Sequence, residues 1–335
     1  MAMHSQIGFL MPPTLLGKQN GVVCQALTWR KALEEKAISV QLINPWCSYE
    51  WSKFDVIHAF SIGHYLSMLP EIKKRGCKKI ILSPIFDYNR PSLITNALSR
   101  IALPFGELRT TWATFRLALA CVDQVLARSS FEAECLINGF GIGKEKISIV
   151  PLSVRFSMPP EKSKNIREQI CSHVSILSAP IKNVKRLVKA SEKFGFSLHL
   201  AGNIPDRNFK KWLESVQNKN TQIVYHGVLD DDQLLQLYQR SKVFALPSLM
   251  EGVGLVALEA AINGAEIVIT ERGGPKEYYG GLAHTVNPQS VDEIGIAIMS
   301  LLGSNTHQPE LAARMASLYS INNTVNSLIN SYDLS

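Results

Sequence analysis

The run Val243-Phe244-Ala245-Leu246-Pro247-Ser248-Leu249-Met250-Glu251-Gly252-Val253-Gly254-Leu255-Val256-Ala257-Leu258-Glu259-Ala260-Ala261 passes through three kinds of local structure in quick succession. Val243–Leu246 is a short continuous apolar run, the pattern of a strand buried on both faces. Pro247 and the two glycines end it, and the residues from Leu255 to Asn263 suit a helix. Gly252 and Gly254 let the backbone turn tightly and bring its amides close to a ligand. The start of the Leu255 helix adds unpaired N–H groups and the positive end of a dipole, which favour a diphosphate. Glu251 sits on the loop and Glu259 about one turn inside the helix, where a carboxylate accepts hydrogen bonds from sugar or ribose hydroxyls. Glu259 stands in an otherwise apolar stretch, so its charge is costly without a partner.

Working outward, the same alternation runs along the whole chain. On the N-terminal side strands are expected at Ile7–Met11, Ile38–Ile43, Val56–Phe60, Lys79–Ser83 and Gln124–Ala127. A helix follows the polar loop Gly17–Gly21, a long helical stretch covers about 92–120, and another helix spans Phe131–Gly139. The pattern pauses at Val154–Asn165, rich in proline and lysine, and then resumes. Strands follow at Val174–Leu177, Ser197–Ala201, Ile223–His226, Val243–Leu246 and Ile267–Ile269, with helices at Val184–Phe194, Phe209–Val216, Asp231–Arg240 and Leu255–Asn263. Strands alternating with helices at this spacing imply parallel sheets joined by βαβ crossovers. The expected class is therefore α/β, with two Rossmann-like parallel-sheet domains facing a central cleft. Their expected limits are 1–155 and 171–318, joined by a linker at 156–170, with a C-terminal helix in 319–335 packing back on the first domain. Ligands of open parallel sheets gather at the carboxyl ends of the strands.

Composition narrows the class further. The 335 residues are 46% hydrophobic and 19% charged, which excludes wholesale disorder. Six cysteines occur without a CxxC pair, against a zinc ribbon, an iron–sulfur site or a disulfide-stapled secreted domain. No apolar run approaches the roughly 20 residues of a membrane-spanning helix, and the first ten residues read as a strand rather than a signal peptide. A cytoplasmic protein is expected. The net charge of +7 lies in residues 1–160, which hold 18 Lys and Arg against 11 Asp and Glu. That one-sided charge, with Lys73–Lys79 and the face formed by Arg109, Trp112 and Arg116, suits peripheral contact with an anionic membrane surface; the alternatives are a solvated face for the lysines and a Trp112 packed in the core.

The Glu-x7-Glu spacing within Pro247–Ala260 resembles the signature of retaining family 4 glycosyltransferases, which have the GT-B fold. Further segments resemble that family in order: Phe54–Ser61, Val122–Leu136, Lys146–Val154, Val224–Ser248 and Gly273–Gly281. The resemblance implies transfer of a sugar from an NDP-sugar co-substrate to an acceptor hydroxyl, with no cofactor. Glu251 would contact the donor sugar and Glu259 the ribose, while the amides of Gly252, Val253, Gly254 and Leu255 hold sugar and phosphates. Lys182 matches the family's diphosphate lysine, but Leu177-Ser178-Ala179-Pro180 stands where a Gly-Arg pair is usual. Base recognition is expected near Asn203 and Val228, largely through backbone.

On the N-terminal side Gly17, Lys18, Asn20 and Gly21 form the candidate phosphate or acceptor loop, without the family's double glycine. Asp87, where a histidine is common, and Ser129 are further acceptor-site candidates, with Ser61, His64 and Ser130 beside them. Asp230-Asp231-Asp232 precedes a helix, and capping accounts for it better than a metal site. No metal and no nucleic-acid partner are expected. No nucleophile stands out, so the resemblance favours same-face attack, and a glycan or lipid-linked acceptor of cell-envelope polysaccharide or lipopolysaccharide assembly. The alternatives are a GT-B epimerase or phosphorylase, and a degenerate GT-B protein that binds a nucleotide-sugar without transfer. An NAD dehydrogenase fits poorly, because no GxGxxG follows an expected strand.

Overall fold

The computed structural model describes residues 6–15, 20–86, 95–96, 110–156, 167–303, 308 and 310–334. The chain divides into two units, Met1–Ser153 together with Ile321–Ser335, and Val154–Ser320. The first is built on strands β1 Gln6–Leu10, β2 Ser39–Leu42, β3 Val56–Phe60, β4 Lys79–Ser83, β5 Gln124–Ala127 and β6 Ile147–Ile149. Their order is β2-β1-β3-β4-β5-β6 and every pairing is parallel. The central strand β3 is buried along its whole length, and its side chains divide with period two. Ile57 and Ala59 join one apolar layer; Val56 and Phe60 join the layer on the other face.

His58 shares that second face, and its surroundings explain why the C-terminal helix belongs to this unit. Helix Ile321–Tyr332 packs on helix Gly21–Glu35 and buries Val325, Leu328 and Tyr332. This i, i+3, i+7 spacing places one stripe of the helix against the core. The Tyr332 hydroxyl lies 2.8 Å from His58 Nδ1, and His58 Nε2 lies 2.8 Å from Ser83 Oγ. Both ring nitrogens are thus occupied, and burial pushes the His58 pKa down to about 3, so the ring is neutral near pH 7. A second polar cluster pins the other end of the helix. Trp29 Nε1 donates to Ser153 Oγ at 2.8 Å, and Ser153 Oγ lies 2.5 Å from Thr324 Oγ1. Tyr332→Phe would leave a buried His58 nitrogen without its partner, at a cost of about 1–3 kcal/mol. The expected result is a lower urea midpoint with an unchanged slope.

The second unit contains β7 Glu168–Val174, β8 Ser197–Ala201, β9 Ile223–Tyr225, β10 Ser241–Leu246, β11 Glu266–Thr270 and β12 His284–Val286. Their order, β12-β11-β10-β7-β8-β9, is that of a doubly wound parallel sheet. One expected strand is corrected. The strand before Lys182 is Glu168–Val174, not Val174–Leu177, and it begins inside the stretch expected to be linker. Ser172 and His173 interrupt its apolar pattern, yet both are fully buried because the strand is paired on both sides. His173 is accommodated by the Ala245 carbonyl at 2.7 Å and Ser175 Oγ at 2.8 Å. Of the expected helix over 92–120, the described residues show Thr111–Ala118; Arg90, Arg100 and Arg109 lie outside them, as do residues 157–166 of the proline-rich stretch.

Candidate active site

In a doubly wound sheet, neighbouring strands whose connections leave in opposite directions open a crevice at their carboxyl ends. In the second unit those strands are β7 and β10. The segment after β7 carries Lys182 and the segment after β10 carries Glu251. Lys182 Nζ donates to Glu251 Oε2 at 2.8 Å, so the two residues expected to do the chemistry are in contact. Ser248 Oγ donates to the same oxygen at 2.9 Å. Glu251 is 8% exposed, whereas the Lys182 side chain keeps 26% of its surface in solvent, so the ammonium is the open end of the pair.

Backbone stitching holds this arrangement. Leu249 N donates to the Ile181 carbonyl at 2.8 Å, which ties the two segments together. Asn183, in the left-handed region at φ 58°, donates from its side chain to the carbonyls of Pro247 at 2.9 Å and Pro288 at 2.7 Å. Glu251 also bridges Gly273, with Glu251 N donating to the Arg272 carbonyl and Gly274 N donating to the Glu251 carbonyl. Gly254 caps helix Leu255–Ile262 at φ 83°. That conformation suits glycine, and the position carries no side chain to occupy the helix's first amides. Tyr279, fully buried, donates its hydroxyl to the Gly254 carbonyl at 3.2 Å and fixes the turn from below.

Glu259 faces inward, not outward, and is completely buried. The partner its charge requires is Arg155, a residue singled out by nothing in the sequence. Arg155 Nε lies 2.7 Å from Oε1 and Nη2 lies 3.2 Å from Oε2, a two-pronged pair, and Tyr238 donates to Oε2 at 3.3 Å. Burial raises the Glu259 pKa, and Arg155 and Tyr238 work against that rise. Arg155 stands 104 positions earlier in the chain, so no spacing could have revealed the contact.

The remaining candidates of this unit share the same sheet edge. Asn203 follows β8 and is exposed, with its carbonyl accepting from Leu177 N; Val228 follows β9 and is 63% exposed. At about 4.8 Å per strand, the β9 loop is roughly 14 Å from β10. No arginine follows β7 before Arg186, whose guanidinium bonds the Asn183 side chain at 2.5 Å, and Lys185 stacks over Trp212 at 5.1 Å. Asp230 caps helix Asp231–Arg240 in a reciprocal box with Gln233, while Asp231 pairs with Arg155 at 2.7 Å. Among the described residues no group of three metal-ligating side chains forms a site.

In the first unit the diverging strands are β1 and β3. Asn20 and Gly21 open the helix after β1, and Asn20 Oδ1 accepts from Val23 N at 3.0 Å. Gly17, Lys18 and Asp87 lie outside the described residues. Ser129 caps helix Ser130–Phe140 by accepting from Glu132 N at 3.1 Å, and His64 Nε2 lies 3.2 Å from Thr111 Oγ1. Beside Ser129 is a feature the sequence did not signal: Arg128 and Glu132 pair at 2.8 Å within the protein, and Glu132 also accepts from Phe86 N. Of the two positions open to Trp112 the structure has the packed one, with the ring against Phe86 and Phe140. The Lys73–Lys79 cluster is likewise laced with counter-charge: Lys73 pairs with Asp123, Arg75 with Glu71 and Lys78 with Asp55. No described helix is long and apolar enough to cross a membrane.

Residues 161–317 match the family described as glycosyl transferases group 1. The chain is similar to the MMP alpha-(1->4)-mannosyltransferase of Mycolicibacterium hassiacum, 27% identical over 55% of this chain and 46% of that protein. It is also similar to the O-antigen chain mannosyltransferase B of Escherichia coli, 26% identical over 46% of this chain and 43% of the relative. The matches therefore span less than half the length of these curated relatives. Among solved structures, the sucrose-phosphate synthase of Thermosynechococcus elongatus superposes with a TM-score of 0.77 at 14% identity, over 98% of both chains. Anabaena Alr3699/HepE in complex with UDP and glucose gives 0.72 at 15% identity, over 98% of this chain and 99% of that one. Likeness at this level of identity establishes the two-domain GT-B fold.

Proposed function

We propose that this chain, which belongs through residues 161–317 to the group 1 glycosyl transferases, moves a sugar from a nucleoside diphosphate sugar to an acceptor hydroxyl with retention of configuration. The observation that supports it most is the Lys182–Glu251 contact at the carboxyl ends of β7 and β10, beside the open start of helix Leu255–Ile262. Breaking the anomeric C–O bond leaves positive charge on the sugar and negative charge on the departing diphosphate. The half-exposed Lys182 ammonium turns from Glu251 to that diphosphate. The amides from Gly252 to Leu255, already oriented by the Gly254 turn, receive its oxygens without reorganisation. Glu251, released by Lys182 and still held by Ser248, accepts from the sugar's hydroxyls. The departing phosphate oxygen takes the acceptor's proton from the same face, and the reaction needs no metal. Glu259 accepts from the ribose, and the loops bearing Asn203 and Val228 meet the base.

The two curated relatives named above are mannosyltransferases by name, one of them an O-antigen enzyme, so a mannosyl donor and a cell-envelope glycan acceptor are the first to test. Incubation with GDP-mannose and with UDP- and ADP-hexoses, in the presence of candidate acceptors and of EDTA, should release one nucleoside diphosphate per glycosidic bond formed. A second reading, a binding protein without transfer, is favoured by one observation. Among the described residues no arginine pairs with the same site as Lys182, and Arg186 and Lys185 are engaged elsewhere. Saturable binding of a nucleotide-sugar, with neither release nor transfer for any donor, would establish that second reading instead.

A further inference from the structure

Trp46, on the turn that follows β2, is the most exposed large apolar side chain among the described residues, at 86%. Trp29 and Trp51 are buried, and Trp112 and Trp212 are half-buried. The turn that presents it is tightly fixed. Ile43 N donates to the Phe9 carbonyl at 2.8 Å and ties the end of β2 to β1. Asn44 then closes the turn: its carbonyl accepts from Cys47 N at 3.0 Å, its Oδ1 accepts from Trp46 N at 3.1 Å, and its own N–H donates to Tyr49 Oη at 2.9 Å. Tyr49 rests in turn on the rings of Trp51 and Phe54. Among the described residues the Trp46 indole itself makes no hydrogen bond and no ring contact. A large apolar ring held in water on a fixed backbone forgoes the burial that a tryptophan gains most from. Its place is equally specific. β2 is an edge strand parallel to β1, so the turn lies at the carboxyl edge of the first sheet, where ligands gather. The crevice between the diverging strands β1 and β3 begins one strand away, about 5 Å from the β2 end on its near side and about 10 Å on its far side. At the end of β3, Ser61 is held at φ 70° with Tyr65 Oη donating to its carbonyl at 3.0 Å, and strain of that kind concentrates at ligand sites.

We propose that Trp46 is a stacking platform for a sugar ring of the acceptor, one further along the chain than the ring with the reacting hydroxyl. This rests on the sugar-transfer reading above, with the reacting ring seated at the β1–β3 crevice. A pyranose has an apolar face of C–H groups and a rim of hydroxyls. An indole offers an apolar π face and a single N–H donor, and so matches both. Asn44 and Ser48, exposed on the same turn, add amide and hydroxyl groups for the rim. Charge decides between a glycan and an anionic bilayer. From Asn44 to Glu50 the turn has no basic residue, and its one acid, Glu50, pairs with Lys53 at 2.7 Å. An anionic bilayer is held by basic residues set around the apolar ones; a neutral hexose chain needs none. Distance selects length as well. A single ring at the crevice leaves Trp46 uncovered, and a longer chain covers it.

The test is titration of the full chain with α-linked mannose and α-linked glucose oligosaccharides of one to four rings, followed by calorimetry and by tryptophan emission. Wild type should bind chains of one series at least tenfold more tightly than its single ring, with a change in emission. Trp46→Ala removes a side chain that touches nothing, so it should melt as wild type does. It should lose the emission change and bind the chains at least fivefold more weakly, with its affinity for the single ring unaltered. Trp46→Phe, which keeps a ring, should retain most of the preference for chains. In transfer assays the loss in Trp46→Ala should fall on KM for the longer acceptors and leave kcat unchanged. The proposal is overturned if wild type shows no preference for longer chains, or if Trp46→Ala keeps that preference or loses single rings and chains equally. Vesicles of phosphatidylglycerol and phosphatidylcholine supply the other arm: an emission shift on vesicles that Trp46→Ala abolishes, with chain binding intact, assigns Trp46 to a bilayer and also overturns it. Failure of the transfer reading is a separate result. No nucleoside diphosphate is then released from any donor, whereas the platform is judged by binding alone.

Discussion

Replacing Lys182 by alanine should lower sugar transfer by about 10²–10³-fold, the loss typical of removing one pre-arranged donor to developing negative charge. The substitution removes the half-exposed ammonium that meets Glu251 at 2.8 Å and disturbs little else. The fold should survive, because Glu251 keeps Ser248 and the backbone bonds to Arg272 and Gly274. Glu251→Ala should cost at least tenfold by a different route, since it removes the acceptor proposed above for the sugar's hydroxyls and leaves the ammonium undirected. The measurement is initial-rate nucleotide release, with melting temperatures recorded for each variant. Near-normal turnover in both would show that the pair is a surface ion pair with no part in the chemistry.

Gly273→Ala is expected to damage the site through the backbone alone. Gly273 has φ 101°, and a Cβ there would stand 2.0 Å from the Glu251 carbonyl oxygen and 2.9 Å from Met250 Sδ. The carbonyl belongs to the bridge that holds Glu251 in place, so relief of the clash moves the Glu251 backbone itself. Strain of this kind costs about 1–3 kcal/mol. In a domain of this size that is a melting point lower by several degrees, accompanied by loss of transfer. Gly195→Ala is the control: φ there is 78°, but nothing lies within 4 Å of the added carbon. It should lose comparable or smaller stability and keep its activity. Equal turnover in the two variants would detach the Glu251 loop from the Gly273 contact.

Much of this architecture was legible in one dimension. The strands Val56–Phe60, Lys79–Ser83, Gln124–Ala127 and Ser197–Ala201, and the helices Val184–Phe194 and Asp231–Arg240, have the limits that the pattern assigns them. Each is an apolar run or an apolar stripe at helical spacing, so local chemistry and tertiary packing agree. Strand β7 was misplaced for the opposite reason. Its polar His173 is tolerable only because partners from β10 and from Ser175 are supplied in space, while the small Ser172 hydroxyl is buried without a hydrogen-bond partner. Trp112 on a helix with Arg116 looks amphipathic in projection; only packing on Phe86 and Phe140 shows which way the ring turns.

The sequence by itself determined the alternating α/β class, the glycine turn between β10 and helix Leu255–Ile262, and the presence of two carboxylates eight positions apart. These are properties of near neighbours, set by hydrophobic period, backbone freedom and helix ends. Only the tertiary structure decided which groups those carboxylates meet. Lys182 reaches Glu251 because β7 and β10 are adjacent although β8 and β9 lie between them in the chain. Arg155 reaches Glu259 because burying that carboxylate requires a counter-charge, and folding supplied it from a distant part of the chain.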